Sequence, residues 1–125
     1  MKGLKSRIIC ASNCAKGRLV RLANAPEHYR SDDEETFEQL YERVDWTIGL
    51  IKEVKREDME GMEDKQVLLK SSFGSIRFAT GLEYLQDYAL PIFYFHLSTA
   101  YGIMRKEGVE IGMMDYLGQL GDYRP

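Results

Sequence analysis

Cysteine, histidine, proline and tryptophan are scarce in this chain of 125 residues, which holds 2, 2, 3 and 1 of them respectively. Two cysteines, Cys10 and Cys14, are too few for the disulfide framework of a small secreted domain. No window approaches the roughly 20 uncharged apolar residues of a membrane-spanning helix, and the first residues lack the apolar core of a signal peptide. We therefore expect a cytoplasmic protein that does not enter a membrane.

The chain also lacks an excess of positive charge, with 17 basic and 20 acidic side chains and a formal net charge of -3. This balance disfavours a general nucleic-acid binder. The first 24 residues are nevertheless basic, and on a helical wheel their charges flank an apolar face on both sides, as in a solvated helix. These residues are Lys2, Lys5, Arg7, Lys16, Arg18 and Arg21. No nucleic-acid partner is predicted, and hydrophobic residues at 44% favour one domain over residues 1–125.

The first helix is predicted from an apolar stripe that repeats every three or four residues and falls within about 80° of arc. The stripe consists of Leu4, Ile8, Ala11, Ala15, Leu19 and Leu22. The helix should end near Asn24, because Pro26 restricts Ala25 and asparagine tolerates the left-handed cap position. No capping residue precedes Leu4, so the chain is expected to begin inside a fold.

A second helix is predicted to start at a capping box formed by Ser31 and Glu34. Its apolar stripe, expected to face the core, is Phe37, Leu40, Tyr41, Val44, Ile48 and Ile51. Trp46 lies about 170° from the centre of this stripe, and Leu50 lies one turn later on the same outward side. Such a pair is either an interface or is covered by the tail around Met113.

A β-hairpin is predicted around the Ser71–Gly74 turn, because Val67 and Leu69 alternate before it and Ile76 and Phe78 after it. A third helix should run from the capping box at Thr80 to about Lys106, where Gly108 stops it. This helix is apolar around most of its circumference, which predicts the central helix of a bundle, and Pro91 should bend it.

Two long segments resemble a family of proteins that share a domain of unknown function and belong to the DinB/YfiT-like superfamily of four-helix bundles. They are Leu90-Pro91-Ile92-Phe93-Tyr94-Phe95-His96-Leu97-Ser98-Thr99-Ala100-Tyr101 and Gly108-Val109-Glu110-Ile111-Gly112-Met113-Met114-Asp115-Tyr116-Leu117-Gly118. The resemblance implies an all-α, up-and-down bundle with three long helices and a short hairpin between the second and third. Family members carry some tens of additional residues at the front, so this chain is expected to lack their first helix.

The superfamily resemblance also implies a site for a divalent metal such as zinc or nickel, built from three histidines, two of them four residues apart. His96 matches the first of that pair, but Ala100 occupies the second position, and the other histidine of this chain, His28, lies in a predicted loop. A degenerate site with His96 as a surviving ligand is one hypothesis. The alternative is a buried histidine hydrogen-bonded to a neighbouring helix, with no cofactor bound.

Several polar side chains could line a ligand pocket in the bundle core. The candidates are Tyr84, Tyr88, His96, Tyr101 and Asp115. Cys10 and Cys14 lie one turn apart without an activating histidine, so no catalytic role is predicted for them.

Three helices leave a groove where a fourth should lie, and exposed apolar surface is unfavourable at about 25 cal/mol per Å². The leading hypothesis is a non-catalytic cytoplasmic protein that acts through self-association as a homodimer, with Trp46 and Leu50 as interface candidates, or through capture of a small molecule. The alternative is a metal-dependent enzyme similar to the DinB-like thiol S-transferases.

Overall fold

A computed structural model describes residues 3–118 of the chain, so Lys2 of the basic segment lies outside it. The described part is mostly helical and contains one antiparallel two-stranded sheet. The elements in chain order are α1 (Leu4–Leu22), α2 (Phe37–Glu53), a 3-10 turn (Arg56–Met59), β1 (Val67–Ser71), β2 (Gly74–Phe78), α3 (Gly81–Glu83), a π-helical turn (Tyr84–Ala89), α4 (Leu90–Lys106) and α5 (Met113–Leu117). The predicted helical bundle with a hairpin before its third long helix is confirmed.

Helix α1 is the central helix, because it packs against both α2 and α4. On one flank the hydroxyl oxygens of Ser12 and Thr47 of α2 lie 2.7 Å apart. On the other flank Arg7 contacts His96 of α4. The expectation that the third helix is central is wrong. Several apolar side chains of α4 are exposed to solvent, and Pro91 is exposed as well.

Helix α1 ends where the sequence predicts, and Asn24 adopts the left-handed conformation with φ 48°. The backbone N–H groups of Ala23 and Ala25 both donate to the carbonyl of Leu19, which satisfies the end of the helix.

Helix α2 begins later than the capping box of Ser31 predicts. Its N-cap is Thr36, whose hydroxyl accepts from the N–H of Gln39 at 3.2 Å, while the Gln39 side chain accepts from the N–H of Thr36 at 3.0 Å. Glu34 is instead buried, and both of its carboxylate oxygens accept hydrogen bonds from Arg43. Glu34 therefore belongs to the connection before α2 and not to its first turn.

The predicted hairpin is present, and its register places Val67 opposite Phe78 and Leu69 opposite Ile76. Val67, Leu69 and Phe78 are buried against Leu22 of α1. Phe78 also packs edge-on against Tyr84 with ring centroids 5.4 Å apart. A two-stranded hairpin is marginal alone, so this contact with the helices is what stabilises it.

The third helix is continuous from Gly81 to Lys106 but changes type along its length. Its N-cap is Thr80, as predicted, and the hydroxyl accepts from the N–H of Glu83 at 3.0 Å. The π-helical turn lies just before Pro91, where the N–H of Leu90 donates to the carbonyl of Leu85. The sequence predicts a bend at Pro91, and the structure has just before it a turn with one surplus residue.

Candidate functional site: an apolar groove between three helices

An open groove of about 270 Å³ runs between α1, α2 and α4. Its floor comes from α1, and its two walls come from α2 and α4. The lining residues are Arg7, Ile8, Ala11, Ser12, Ala15, Val44, Thr47, Ile48, Ile51, Phe93, His96, Leu97 and Ala100. Most of these side chains are apolar, and no carboxylate is among them. The groove is therefore a site for apolar groups with a few polar atoms at its base.

The apolar stripe of α2 does not face the core, contrary to the prediction. Apart from Leu40, its members are exposed, and Phe37 and Tyr41 reach 63% and 70% exposure. The residues of α2 that are buried are instead Leu40, Arg43, Thr47 and Leu50. Three of its members, Val44, Ile48 and Ile51, line the groove.

The floor of the groove is built from small side chains. Ala11, Ser12 and Ala15 lie one turn apart or adjacent on α1 and face the opening. Small residues let the backbone of another helix approach closely, and packed helices lie 8–10 Å apart depending on the side chains between them. The groove thus has the shape and composition that suit an apolar helix face.

His96 lies in the wall of the groove and is buried, as is Arg7 of the floor. The Nδ1 atom of His96 and the Nη1 atom of Arg7 are 3.1 Å apart. Burial lowers the pKa of His96 below its ordinary value, and the positive charge of Arg7 lowers it further. A neutral imidazole can accept a hydrogen bond from the guanidinium at this distance.

A metal ion at His96 would sit beside this guanidinium, and the two positive charges would repel each other. His28 does not join His96. It lines a separate cavity with Lys16 and Leu50 on the other side of α2. Within residues 3–118 no group of three or more histidine, cysteine, aspartate or glutamate side chains is placed to hold a metal ion.

The other ligand-pocket candidates do not meet at His96. Tyr84 and Tyr88 stack on each other with centroids 6.0 Å apart, and both pack against Phe78 of the hairpin. Tyr101 packs edge-on against Tyr116 at the other end of the helix. The expectation of one common pocket is wrong, because the length of the third helix separates these residues.

Asp115 has a local role in the C-terminal helix. Its Oδ2 atom accepts from the N–H of Gly112 at 2.7 Å, which satisfies the start of α5. It does not belong to the lining of the groove.

Trp46 and Leu50 do not form an exposed pair, contrary to the prediction. Leu50 is buried, and Trp46 is partly covered by two cations. The ammonium of Lys16 and the guanidinium of Arg30 lie 5.8 and 5.4 Å from the ring centroid. The exposed apolar face of α2 is instead the one that carries the stripe.

Cys10 and Cys14 are free thiols and are partly buried. Burial raises the pKa of the Cys14 thiol, although Arg18 acts in the opposite direction. A raised pKa lowers the fraction of thiolate, which is the nucleophilic form.

A buried charge network next to the groove, with which it shares Ser12, was not predicted. Fully buried Arg43 donates from Nη1 to both carboxylate oxygens of Glu34, at 2.7 and 2.9 Å. Its Nη2 atom donates to Asn13 and Asp32, each at 2.7 Å, and its Nε atom donates to Ser12 at 3.1 Å. We call these five residues the Arg43 network. The sequence signal for it was weak, since a lone arginine on a helix is usually exposed.

The fold and the groove define a helical bundle of the DinB type. A crystal structure of a DinB family member protein from Shewanella denitrificans is similar to it, with a TM-score of 0.83 and 29% identity over 100% of this chain and 70% of that chain. The chain belongs to the family that carries the domain of unknown function DUF1993, whose model matches residues 1–117. Among curated proteins, none matches this chain. No helix in the described range is both long and apolar enough to cross a bilayer.

Proposed function

We propose that the protein is a non-catalytic cytoplasmic helical bundle that acts by self-association through the groove. The observation that carries the proposal is the convergence of apolar side chains from α1, α2 and α4 on one open groove. Continuous exposed apolar surface of this kind marks interaction sites in folded proteins. Covering it would contribute about 25 cal/mol for each Å² removed from water.

The polar groups of the groove support association rather than chemistry. Ser12 and Thr47 bond to each other, and the Thr47 hydroxyl also donates to the carbonyl of Arg43 at 2.8 Å. The groove presents no described nucleophile with a base beside it, since His96 contacts Arg7. The free thiols of Cys10 and Cys14 are consistent with a reducing compartment.

The experiment is size-exclusion chromatography with light scattering from 1 to 100 µM, on the protein and on Ile48→Glu. The parent should be a dimer, and the variant should dissociate at least about 100-fold more readily, because a buried carboxylate costs several kcal/mol. Ile76→Glu on the hairpin is the matched control, since Ile48 and Ile76 are 42% and 46% exposed. The control should remain a dimer. A folded parent that is monomeric at 100 µM would refute the proposal.

A metal-dependent enzyme is the second candidate, and the observation in its favour is that His96 is buried in the wall of the groove. It predicts stoichiometric zinc, nickel or iron in protein purified without a histidine tag, and loss of that metal in His96→Ala. The repulsion from Arg7 favours the opposite result. Capture of a small molecule by the groove stays a prediction.

A further inference from the structure

A second cavity, of about 180 Å³, lies between α1, the hairpin and the third helix. It opens on a different side of α1 from the groove, and none of the described residues lines both. Two of the side chains predicted to line a ligand pocket, Tyr84 and Tyr88, lie here together with Cys14. Pockets for drug-sized ligands have volumes of about 300–1,000 Å³, so this smaller cavity suits a ligand with one ring or a short chain.

Arg21 brings a positive charge to this cavity without a carboxylate to balance it. None of the described lining residues is acidic, and no carboxylate within residues 3–118 forms an ion pair with Arg21. Its Nη1 atom donates to the carbonyl of Gly17 at 2.9 Å and to the hydroxyl of Tyr84 at 3.4 Å. Nε and Nη2 donate to no other residue of the described part of the chain. These two donors lie on one edge of the guanidinium, which can bind a carboxylate through both of its oxygens.

The other groups of the cavity that can ionise stay uncharged at neutral pH. Burial raises the pKa of the Tyr88 hydroxyl and also that of the Cys14 thiol. Neither group therefore adds a negative charge that would repel an anion. The hydroxyl of Tyr88 bonds to no other side chain or backbone group within residues 3–118, so it is a second donor for a ligand.

Apolar side chains complete the lining, with Leu69 from the hairpin and Ile92 from α4. We infer that the cavity binds a small organic carboxylate, whose charged end meets Arg21 and the Tyr88 hydroxyl and whose apolar body packs against Leu69 and Ile92. An inorganic anion would leave this apolar surface in contact with water, which is unfavourable at about 25 cal/mol per Å². The site is separate from the groove, so the inference does not depend on the proposed self-association.

Protection of a thiol tests the site, because Cys14 lines the cavity and Cys10, one turn away, is not among its lining residues. Benzoate is the probe, benzamide is its neutral analogue, and inorganic phosphate is an anion without an apolar body. In Cys10→Ser, benzoate at about 10 mM should slow the alkylation of Cys14 by iodoacetamide about fivefold or more. Benzamide and phosphate should each change this rate by less than about twofold. In Cys14→Ser, none of the three compounds should change the rate for Cys10.

Each other outcome overturns the inference. Absence of protection by benzoate would show that the cavity does not bind it. Equal protection of the two thiols would show an effect outside the cavity. Equal protection by benzamide would show that the charge of the ligand is not recognised, and equal protection by phosphate would show a site for any anion.

Substitutions in the Cys10→Ser background identify the groups that hold the probe. Arg21→Gln should raise the benzoate concentration for half-maximal protection about tenfold or more, and Arg21→Lys should raise it less. Lys16→Gln is the matched control, because it removes a positive charge from another face of α1 and should change nothing. Tyr88→Phe should raise the same concentration about threefold, and it decides the test if Arg21→Gln does not fold. Unchanged protection in Tyr88→Phe, or in folded Arg21→Gln, would contradict the assignment.

Discussion

Two faces of α2 differ in how they are packed against the rest of the protein. On one side the Arg43 network fills the contact with α1 by charge and hydrogen bonds, and Arg43 is completely buried. On another face of α2, Val44, Ile48 and Ile51 of the apolar stripe line an open apolar groove. The difference shows that the buried face of α2 combines Arg43 and Thr47 with Leu40 and Leu50, while most of its apolar stripe stays exposed.

The contact between α2 and α1, which we call the closed side of α2, tolerates buried Arg43 because the guanidinium is fully hydrogen-bonded. Its donors meet two carboxylates, a hydroxyl, an amide oxygen and the carbonyl of Ser31. Burial alone would raise the pKa of Glu34, but hydrogen bonds from Arg43 and Arg30 hold that pKa below its ordinary value of 4.5. The network thereby ties the connection before α2 to α1.

The largest expected effect follows from disrupting the Arg43 network. Arg43→Met should lower the free energy of unfolding by about 3–5 kcal/mol, because it leaves Glu34 buried without its partner. Chemical unfolding in urea measures this. Arg30→Met removes only the more exposed partner of Glu34 and should cost about 1 kcal/mol or less. Equal losses in the two variants would show that burial of Arg43 is not what matters.

The two ends of the third helix provide the next test. A Cβ at Gly81 would lie 2.1 Å from the carbonyl oxygen of Met62, while a Cβ at Gly102 would have nothing within 4 Å. Gly81→Ala should therefore cost about 1–3 kcal/mol. Gly102→Ala should stabilise the helix by up to about 1 kcal/mol. Thermal unfolding of the two variants should move in opposite directions, and a stabilised Gly81→Ala would contradict the close approach.

Acid should weaken the closed side before the helices lose their own stability. A carboxyl whose pKa is lowered on folding contributes stability that is complete above its unfolded pKa and is lost as the pH falls through the folded one. The unfolding free energy should thus decrease from about pH 4.5 downward. This decrease should be much smaller in Glu34→Gln. An unchanged acid dependence in that variant would remove Glu34 from the explanation.

The smallest expected effect concerns the groove. The pKa of His96 is lowered on folding, so the unfolded chain takes up a proton first as the pH falls below about 6.5, and stability decreases there. Urea unfolding at pH 7.5 and 5.5 should show this loss in the parent and not in His96→Gln. His28→Gln, outside the groove, should retain it. The window lies above that of Glu34, so the two sides of the molecule can be followed separately.

The sequence was sufficient for the elements that depend on local signals. The end of α1 at Asn24, the hairpin around its turn at 71–74 and the cap at Thr80 follow from turn and capping chemistry within a few residues. The start of α2 was predicted wrongly because two capping sites compete, and the choice between Ser31 and Thr36 depends on Arg43, which a local pattern does not include.

The orientation of α2 and the residues of the site were beyond the reach of periodicity. A helical wheel shows where the apolar stripe of α2 lies but not which element it contacts. Periodicity therefore predicts Leu50 outside and Ile48 inside, and the structure shows the reverse. His96 was correctly singled out as a side chain within an apolar face, and its contact with Arg7 required the packing of α4 on α1. The burial of Arg43 likewise depends on partners that are distant in sequence.

The π-helical turn between Tyr84 and Ala89 keeps the buried residues of the two halves of the third helix on one face of that helix. In a regular helix Tyr84 and His96 would differ by about 120° in direction, since each residue turns the chain by about 100°. The surplus residue removes most of that difference, so both are buried on one helix. Deleting one residue of the turn should leave a regular helix in which Tyr84 and His96 differ by only about 20° in direction, so His96 should keep its contact with Arg7. The turn therefore accommodates one extra residue in the third helix without changing the geometry of the groove.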